Sequence, residues 1–312
     1  MALAQNFSAI GRKWGAWQHS RAVRNVLATP AIAPVDDGVI LFSMIGTAVV
    51  LPYLVAVKSL YQQLRRGRII LLDDGTLTNA DKAVLAYHCG DPQILTFADI
   101  ATAPCPSGNC WERLLAILDL RHDHYVIQLD SDTVTLGPVP EIAAAIAENR
   151  SFTLGGGIED VAHGFMTIPQ MIRDIYPDGP IHQHIQSVIE SALGDIPDAE
   201  RLKYIRGCAG FAGFSRSSSG RALAERFAVD TGRVVGPRFS EWGSEQAASN
   251  FVVANDPDPI QLPYDRYTNH WEEDLPVDPA FIHYIGTYRY ARGSYVSSTR
   301  RAIAALQAAS AE

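Results

Sequence analysis

A chain of 312 residues, 47% hydrophobic and 19% charged, has the size and composition of an ordinary globular protein, enough for one large α/β domain or two small ones. Its formal net charge of -8 leaves no excess of cations to neutralise a phosphate backbone, which excludes a general nucleic-acid binder. Four cysteines, Cys89, Cys105, Cys110 and Cys208, match neither a disulfide framework nor a zinc spacing and point to thiols in a reducing compartment.

No cleavable signal pattern opens the chain, so a cytoplasmic location is expected. Residues 1–35 carry Arg12, Lys13, Arg21 and Arg24 with Trp14 and Trp17 and no acidic residue. They read as a basic N-terminal extension. It is a helix packed on the domain or a frayed terminus, or else it makes a peripheral contact with an anionic membrane surface. Val39 to Val57 has about the length of a membrane span, yet it divides into soluble pieces. Val39-Ile-Leu-Phe is a buried strand and Gly46-Thr47 a turn. A helix follows with Pro52 in its first turn and Leu54, Val55, Val57, Leu60 and Leu64 on its apolar face.

Arg68-Ile-Ile-Leu-Leu is the second strand, closed by Asp73-Asp74-Gly75-Thr76, and Asn79 or Asp81 opens the next helix. Gln93 to Phe97 is a third strand. After a Pro/Gly loop, Trp111 to Leu120 is helical by spacing, with Leu114, Leu115, Ile117 and Leu118 inward. Strand and helix alternate from residue 38 to 148, which predicts an α/β domain over 36–312 with a mostly parallel sheet flanked by helices. The second half is less regular. Phe152-Thr-Leu is a strand running into the permissive loop Gly155-Gly156-Gly157, and Ile181 to Leu193 is a helix on which His182 and His184 diverge, so they are not a metal pair. Gly207 to Phe214 is a strand of small residues that lets something approach its backbone, and Ser217 to Phe227 is another helix.

The organising stretch is His124 to Pro138. Tyr125, Val126, Ile127 and Leu129 form a buried strand that stops at Asp130-Ser131-Asp132, and Pro140 opens the helix beyond. Residues i and i+2 of an extended chain point the same way, so both carboxylates face one spot at the strand's carboxyl end, where open α/β sheets bind ligands. Two carboxylates on one spot repel, and magnesium or manganese, with positions left for substrate phosphates, relieves that repulsion.

Leu-Asp-Ser-Asp-Thr after an apolar strand, preceded by a helix with Trp111-Glu-Arg-Leu-Leu, resembles the metal centre of glycosyltransferases of the GT-A fold, particularly family 8. The resemblance covers most of residues 38 to 290 and implies a GT-A domain that moves a sugar from a nucleotide-diphosphate donor, UDP-sugar in the main, to an acceptor hydroxyl with Mn2+ or Mg2+. On that likeness Asp130 and Asp132 are metal ligands flanking Ser131 in the donor site, and Arg113 contacts the donor. Cys208-Ala209-Gly210 corresponds to an Asn-Ala-Gly strand, with Ala209 and Gly210 beside donor and acceptor and cysteine in place of asparagine. Glu245-Gln246-Ala247-Ala248-Ser249-Asn250 is similar to an Asp-Gln-x-x-x-Asn stretch whose acid contacts the donor sugar and whose glutamine lies under the anomeric carbon. His283-Tyr-Ile-Gly286-Thr-Tyr-Arg289 resembles His-x-x-Gly-x-x-Lys, which makes His283 a third ligand and gives Gly286 and Arg289 the diphosphate; the usual Pro-Trp is absent.

Asp73-Asp74-Gly75-Thr76 resembles the turn with which family 2 transferases hold a nucleobase, a role that would fall to Asp74. Family 8 retains configuration and family 2 inverts it, and the His283 element favours retention. Gln246 would then support an oxocarbenium-like centre; under inversion Glu245 is the first candidate base. The Gly155–Gly157 loop or the segment Phe239–Gly243 would serve as a lid that excludes water. Two alternatives stand beside this reading. Asp130-x-Asp132-x-Val134 also resembles the first motif of haloacid-dehalogenase-type phosphatases. Cys208 and the missing Pro-Trp suit a protein that binds nucleotide sugar without turnover.

Overall fold

The computed structural model describes residues 2–179 and 184–309. In chain order it contains α1 (Ala2–Ala22), β1 (Val39–Ile45), α2 (Val50–Leu64), β2 (Arg68–Asp73), α3 (Asn79–Cys89), β3 (Gln93–Thr96), α4 (Trp111–Leu120), β4 (Tyr125–Leu129), β5 (Thr133–Thr135) and α5 (Pro140–Ala147). There follow β6 (Phe152–Gly155), α6 (Ile158–His163), β7 (Met166–Thr167), α7 (Ile168–Ile175), α8 (Ile185–Ala192), β8 (Lys203–Tyr204), β9 (Gly207–Phe214), α9 (Ala222–Val235) and α10 (Ser244–Asn255). The chain closes with β10 (Ile260–Gln261), β11 (Tyr267–His270), β12 (Phe281–Tyr284) and α11 (Ser294–Ala308). This is a mixed α/β fold with a mostly parallel central sheet flanked by helices.

Two compact units divide the chain. The first comprises Met1–Leu95, Leu129–Ala143 and Pro263–Glu312. In it β1, β2 and β3 lie side by side, with β1 and β2 parallel, and β11, β12 and β5 form a small sheet of their own. Its core joins Val39 to Phe42, Ile69 to Leu72 and helix α2. That helix is buried nearly all round, with Lys58 and Ser59 under cover beside Leu54, Val57 and Leu60, where the sequence predicts a single apolar face. Lys58 is satisfied there by the Thr29 hydroxyl at 2.8 Å, the Pro30 carbonyl at 2.7 Å and His88 Nδ1 at 2.9 Å. Burial has drawn its pKa down to about 8.

The second unit comprises Thr96–Gln128 and Ala144–Leu262. Its strands run in the order β10, β6, β9, β4, with β6 parallel to β10 and antiparallel to β9. Helix α4 buries Leu114, Leu115, Ile117 and Leu118 completely, as its spacing predicts, each side chain contributing about 2 kcal/mol of apolar transfer. At two glycines of β9 the close approach comes from the neighbouring strand. A Cβ at Gly213 would overlap the Phe152 ring, and one at Gly207 would overlap the Thr153 hydroxyl, both from the neighbouring strand β6.

Two predicted helices start elsewhere. The helix expected from Ile181 is α8; residues 180–183, with Ile181 and His182, lie outside the described residues, and His184 sits ahead of the helix as its cap, its ring Nδ1 accepting from the Gln186 N–H at 3.3 Å. The helix expected from Ser217 begins at Ala222. Ser217 instead closes a local turn, its hydroxyl accepting from Ser219 N and its carbonyl from Gly220 N, the competition serine offers a helix end. No disulfide joins the four cysteines.

Candidate active site

In the first unit the chain leaves β4 at Leu129, makes a turn through Ser131 and Asp132, and enters β5. Strand alternation would aim the two carboxylates at one spot; in the fold this turn presents them. Thr133 Oγ1 donates to the Asp130 carbonyl at 3.0 Å and ties it. Strand β5 then runs antiparallel to β12, Thr133 opposite His283, and Tyr284 N donates to the Asp132 carbonyl at 2.8 Å. That pairing sets His283 beside the aspartates. His283 Nε2 lies 3.3 Å from Asp132 Oδ1 and 4.0 Å from Asp130 Oδ2, and one ligand atom from each of the three falls within 4.8 Å of the others.

The ring is oriented from behind. Strand β11 runs parallel to β12 with Asn269 opposite His283, and His283 Nδ1 sits 2.9 Å from Asn269 Oδ1. An amide oxygen only accepts, so Nδ1 carries the proton in the neutral ring and Nε2 offers its lone pair toward the carboxylates, the state a metal ligand needs. Two carboxylates and one imidazole are oxygen-rich donors for magnesium or manganese, and three protein ligands leave coordination positions open. The residues fit such a cation.

Arg289 follows the turn Gly286–Tyr288, and its Nη2 donates to Asp132 Oδ2 at 2.6 Å. Burial alone would raise the Asp132 pKa; the charge and Nε2–H donation of His283, in the form of the ring that carries both protons with no cation bound, and the Arg289 guanidinium outweigh it and hold the carboxyl below its ordinary value. Gly286 is exposed with φ of +38°, a backbone that disfavours a side chain. Ser131 is half-buried in its turn. Asp74 is exposed, and its carboxylate accepts from Thr76 N at 3.0 Å and the Thr76 hydroxyl at 2.6 Å, while Asp73 accepts from Gly75 N and Leu77 N and meets Lys82 at 3.2 Å.

In the second unit the structure brings Arg113, Glu245 and Gln246 into one neighbourhood. Arg113 Nη2 donates to Glu245 Oε2 at 3.0 Å, and both side chains are buried. Trp111 Nε1 donates to the Ser244 hydroxyl at 2.9 Å, so α4 and α10 are pinned at their first turns. Gln246 Nε2 donates to Gln186 Oε1 at 2.8 Å, and Gln186 Nε2 donates to Glu190 Oε1 at 2.8 Å. Glu190 is wholly buried; its other oxygen is bonded by the Tyr176 hydroxyl and by Arg206 Nε. A carboxylate accepts only, so it dictates the orientation of both amides in turn and turns the Gln246 carbonyl oxygen away from Gln186. Asn250 Nδ2 holds the Gly207 carbonyl at 3.1 Å, and Ala209 and Gly210 lie buried within β9, with the Ala209 carbonyl bonded by Gln128.

In the two segments expected to form a lid, one residue each is held by its neighbours. Gly156 N donates to the Arg206 carbonyl at 3.0 Å, and a Cβ on Gly156 would meet the Asp160 carboxylate at 2.6 Å, so close packing, not left-handed backbone, calls for glycine there. Phe239 is buried against Trp111 and Phe227.

No family model and no curated protein matches the sequence. Solved structures do. The apo structure of the bifunctional glycosyltransferase WbbM matches over 89% of this chain at 13% identity with a TM-score of 0.52. That decides the fold. The chain has the fold of a GT-A glycosyltransferase. It spans only about half, 53%, of the WbbM chain. Two weaker likenesses are the galactosyltransferase LgtC in complex with donor and acceptor sugar analogues, at 12% identity over 84% of this chain and 95% of that one with a TM-score of 0.49, and apo GlyE of Streptococcus pneumoniae, at 13% over 87% and 62% with a TM-score of 0.48.

Asn269, Gln186 and Glu190 escape a reading of the sequence. Asn269 stands fourteen positions from its histidine and Gln186 sixty from Gln246, and only strand register and helix packing show that they meet.

Proposed function

We propose that this protein is a metal-dependent glycosyltransferase that carries a sugar from a nucleoside-diphosphate donor, UDP-sugar first, to an acceptor hydroxyl, and that it acts in the cytoplasm. The observation that carries the reading is the Asp130, Asp132 and His283 cluster in a chain with the GT-A fold. In this reading the three residues hold Mn2+ or Mg2+, which supplies Lewis-acid stabilisation of the charge on the departing diphosphate. Arg289 belongs to the diphosphate as a second cation, with the exposed Gly286 backbone beside it. Asp74 is assigned to the nucleobase and Ser131 to the donor.

Arg113, Glu245, Gln246, Ala209 and Gly210 keep the donor and catalytic roles that the family resemblance implies. The oriented carbonyl oxygen of Gln246 suits support of a positive anomeric centre, which favours retention. Glu245, buried and paired with Arg113, is the base only under inversion. The phosphatase alternative needs its acids on the first strand of another fold, and Asp130 follows the fourth strand of a GT-A fold.

The test is UDP release from a panel of UDP-sugars, with and without sugar acceptors, by wild type and Asp132→Asn, with the anomeric configuration of any product read by NMR. Metal-dependent release that Asp132→Asn abolishes supports the assignment. Tight binding of UDP-sugar with no release under any acceptor would point to the binding protein without turnover.

A further inference from the structure

Among its described side chains, helix α1 is anchored through Gly15, His19 and Ala22. Gly15 lies so near Tyr290 that a Cβ would meet its carbonyl oxygen at 2.8 Å. His19 is buried, its Nε2 3.1 Å from Thr299 Oγ1 and its ring stacked on Tyr295 at 3.8 Å, and Ala22 is buried with it. These contacts fix which way the helix faces. Its other side carries Trp14, 57% exposed, and Trp17, 47% exposed, stacked on each other at 4.8 Å with the Arg21 guanidinium 5.0 Å above the Trp17 ring. Lys13, Arg21 and, just past the end of the helix, Arg24 are exposed as well.

Exposed aromatic side chains scattered singly need no explanation; a stacked pair set among cations on a fixed helix does. The charge distribution narrows the answer. The whole chain is acidic at -8, yet the first acidic residue after Met1 is Asp36, so the cations of this face meet no carboxylate on their own segment. An apolar protein partner would leave the cations unmatched. A polyanion in water would leave the indoles wet. An anionic lipid surface satisfies both, because indole rings settle at the headgroup level and each arginine or lysine gains from the surface potential. Among the described residues no helix is long and apolar enough to cross a membrane, so the contact is peripheral.

We propose that the outer face of α1, built on Trp14, Trp17 and Arg21, together with Arg24 just past its end, docks the protein on the surface of an anionic phospholipid bilayer. The proposal does not depend on the sugar-transfer reading. It is tested by co-sedimenting the full chain with vesicles of phosphatidylcholine alone and of phosphatidylcholine mixed with phosphatidylglycerol, at low and high salt. The variants are Trp14→Ser with Trp17→Ser, and Arg21→Glu with Arg24→Glu, each checked by a thermal melt.

Wild type is expected to pellet with the mixed vesicles alone, to lose binding as salt screens the surface, and to show a blue shift of tryptophan emission that the tryptophan variant lacks. Each double variant should lower partitioning on the order of tenfold while melting as wild type does. Equal binding to both vesicle types, binding to neither, or variants that bind like wild type would overturn the proposal. So would a wild-type dimer in solution that the tryptophan variant abolishes, which would put a second copy of the chain on this face.

Discussion

Gln246 is held by the amide of Gln186, Nε2 to Oε1 at 2.8 Å, and Gln186 is held in turn by the buried carboxylate of Glu190. The sense of each bond is set by the member that only accepts, so the relay fixes which end of the Gln246 amide is presented outward. If Gln246 acts on the transition state, freeing its amide costs turnover more than donor affinity. Gln186→Leu is expected to lower kcat for UDP release on the order of tenfold with little change in donor KM. Combined with Gln246→Ala it should add almost nothing to the single loss, since both act through one group. Steady-state kinetics on the three variants gives the answer, and equal, independent losses would detach Gln186 from catalysis.

Arg113 and Glu245 form a buried ion pair between α4 and α10. Removing the cation leaves the carboxylate under cover with its main counter-charge gone. Arg113→Met is expected to destabilise the fold by about 3 kcal/mol, and pairing it with Glu245→Gln to recover part of that loss. Urea unfolding of the two proteins measures both numbers.

Asn269 orients the His283 imidazole from the Nδ1 side of the ring. Asn269→Ala should leave the ligand set intact and weaken manganese affinity by about 10- to 100-fold, the usual effect of losing the hydrogen bond behind a ligating histidine. Manganese titration followed by electron paramagnetic resonance reads the free ion directly. Unchanged affinity would mean that His283 is not a ligand.

His19 gives the anchoring of α1 a pH dependence. Burial, and then the charge of Arg289, lowers its pKa from 6.5 to about 4. The unfolded chain takes up a proton that the folded state refuses, so this contribution is complete above pH 6.5 and is lost as pH falls through the window to about 4. Its full size is about 3 kcal/mol. His19→Gln should therefore lose less stability than wild type between about pH 7 and about pH 5 in urea titrations.

Where information is local, the sequence reads closely. Helix α4 is found over Trp111 to Leu120 because its apolar spacing and the loop before it are unambiguous, and β4 because its apolar run stops at Asp130. The start of the Ser217 segment is misread because serine turns and helix starts share residues. The glycines of strand β9 announce a close approach without saying what approaches; at Gly207 and Gly213 it is Thr153 and Phe152, and nothing local tells a ligand from a neighbouring strand. The site divides the same way. Asp130 and Asp132 announce themselves two residues apart, whereas Asn269 and Gln186 acquire meaning only from nonlocal pairing.

On the proposed function, the Asp130, Asp132 and His283 cluster binds a nucleoside diphosphate through a divalent metal. Calorimetric titration of UDP into wild type and Asp132→Ala, with and without manganese, tests it most directly. Binding that needs both the metal and Asp132 is the predicted result. UDP binding that is indifferent to manganese and to Asp132, or no binding in any of the four titrations, would contradict it.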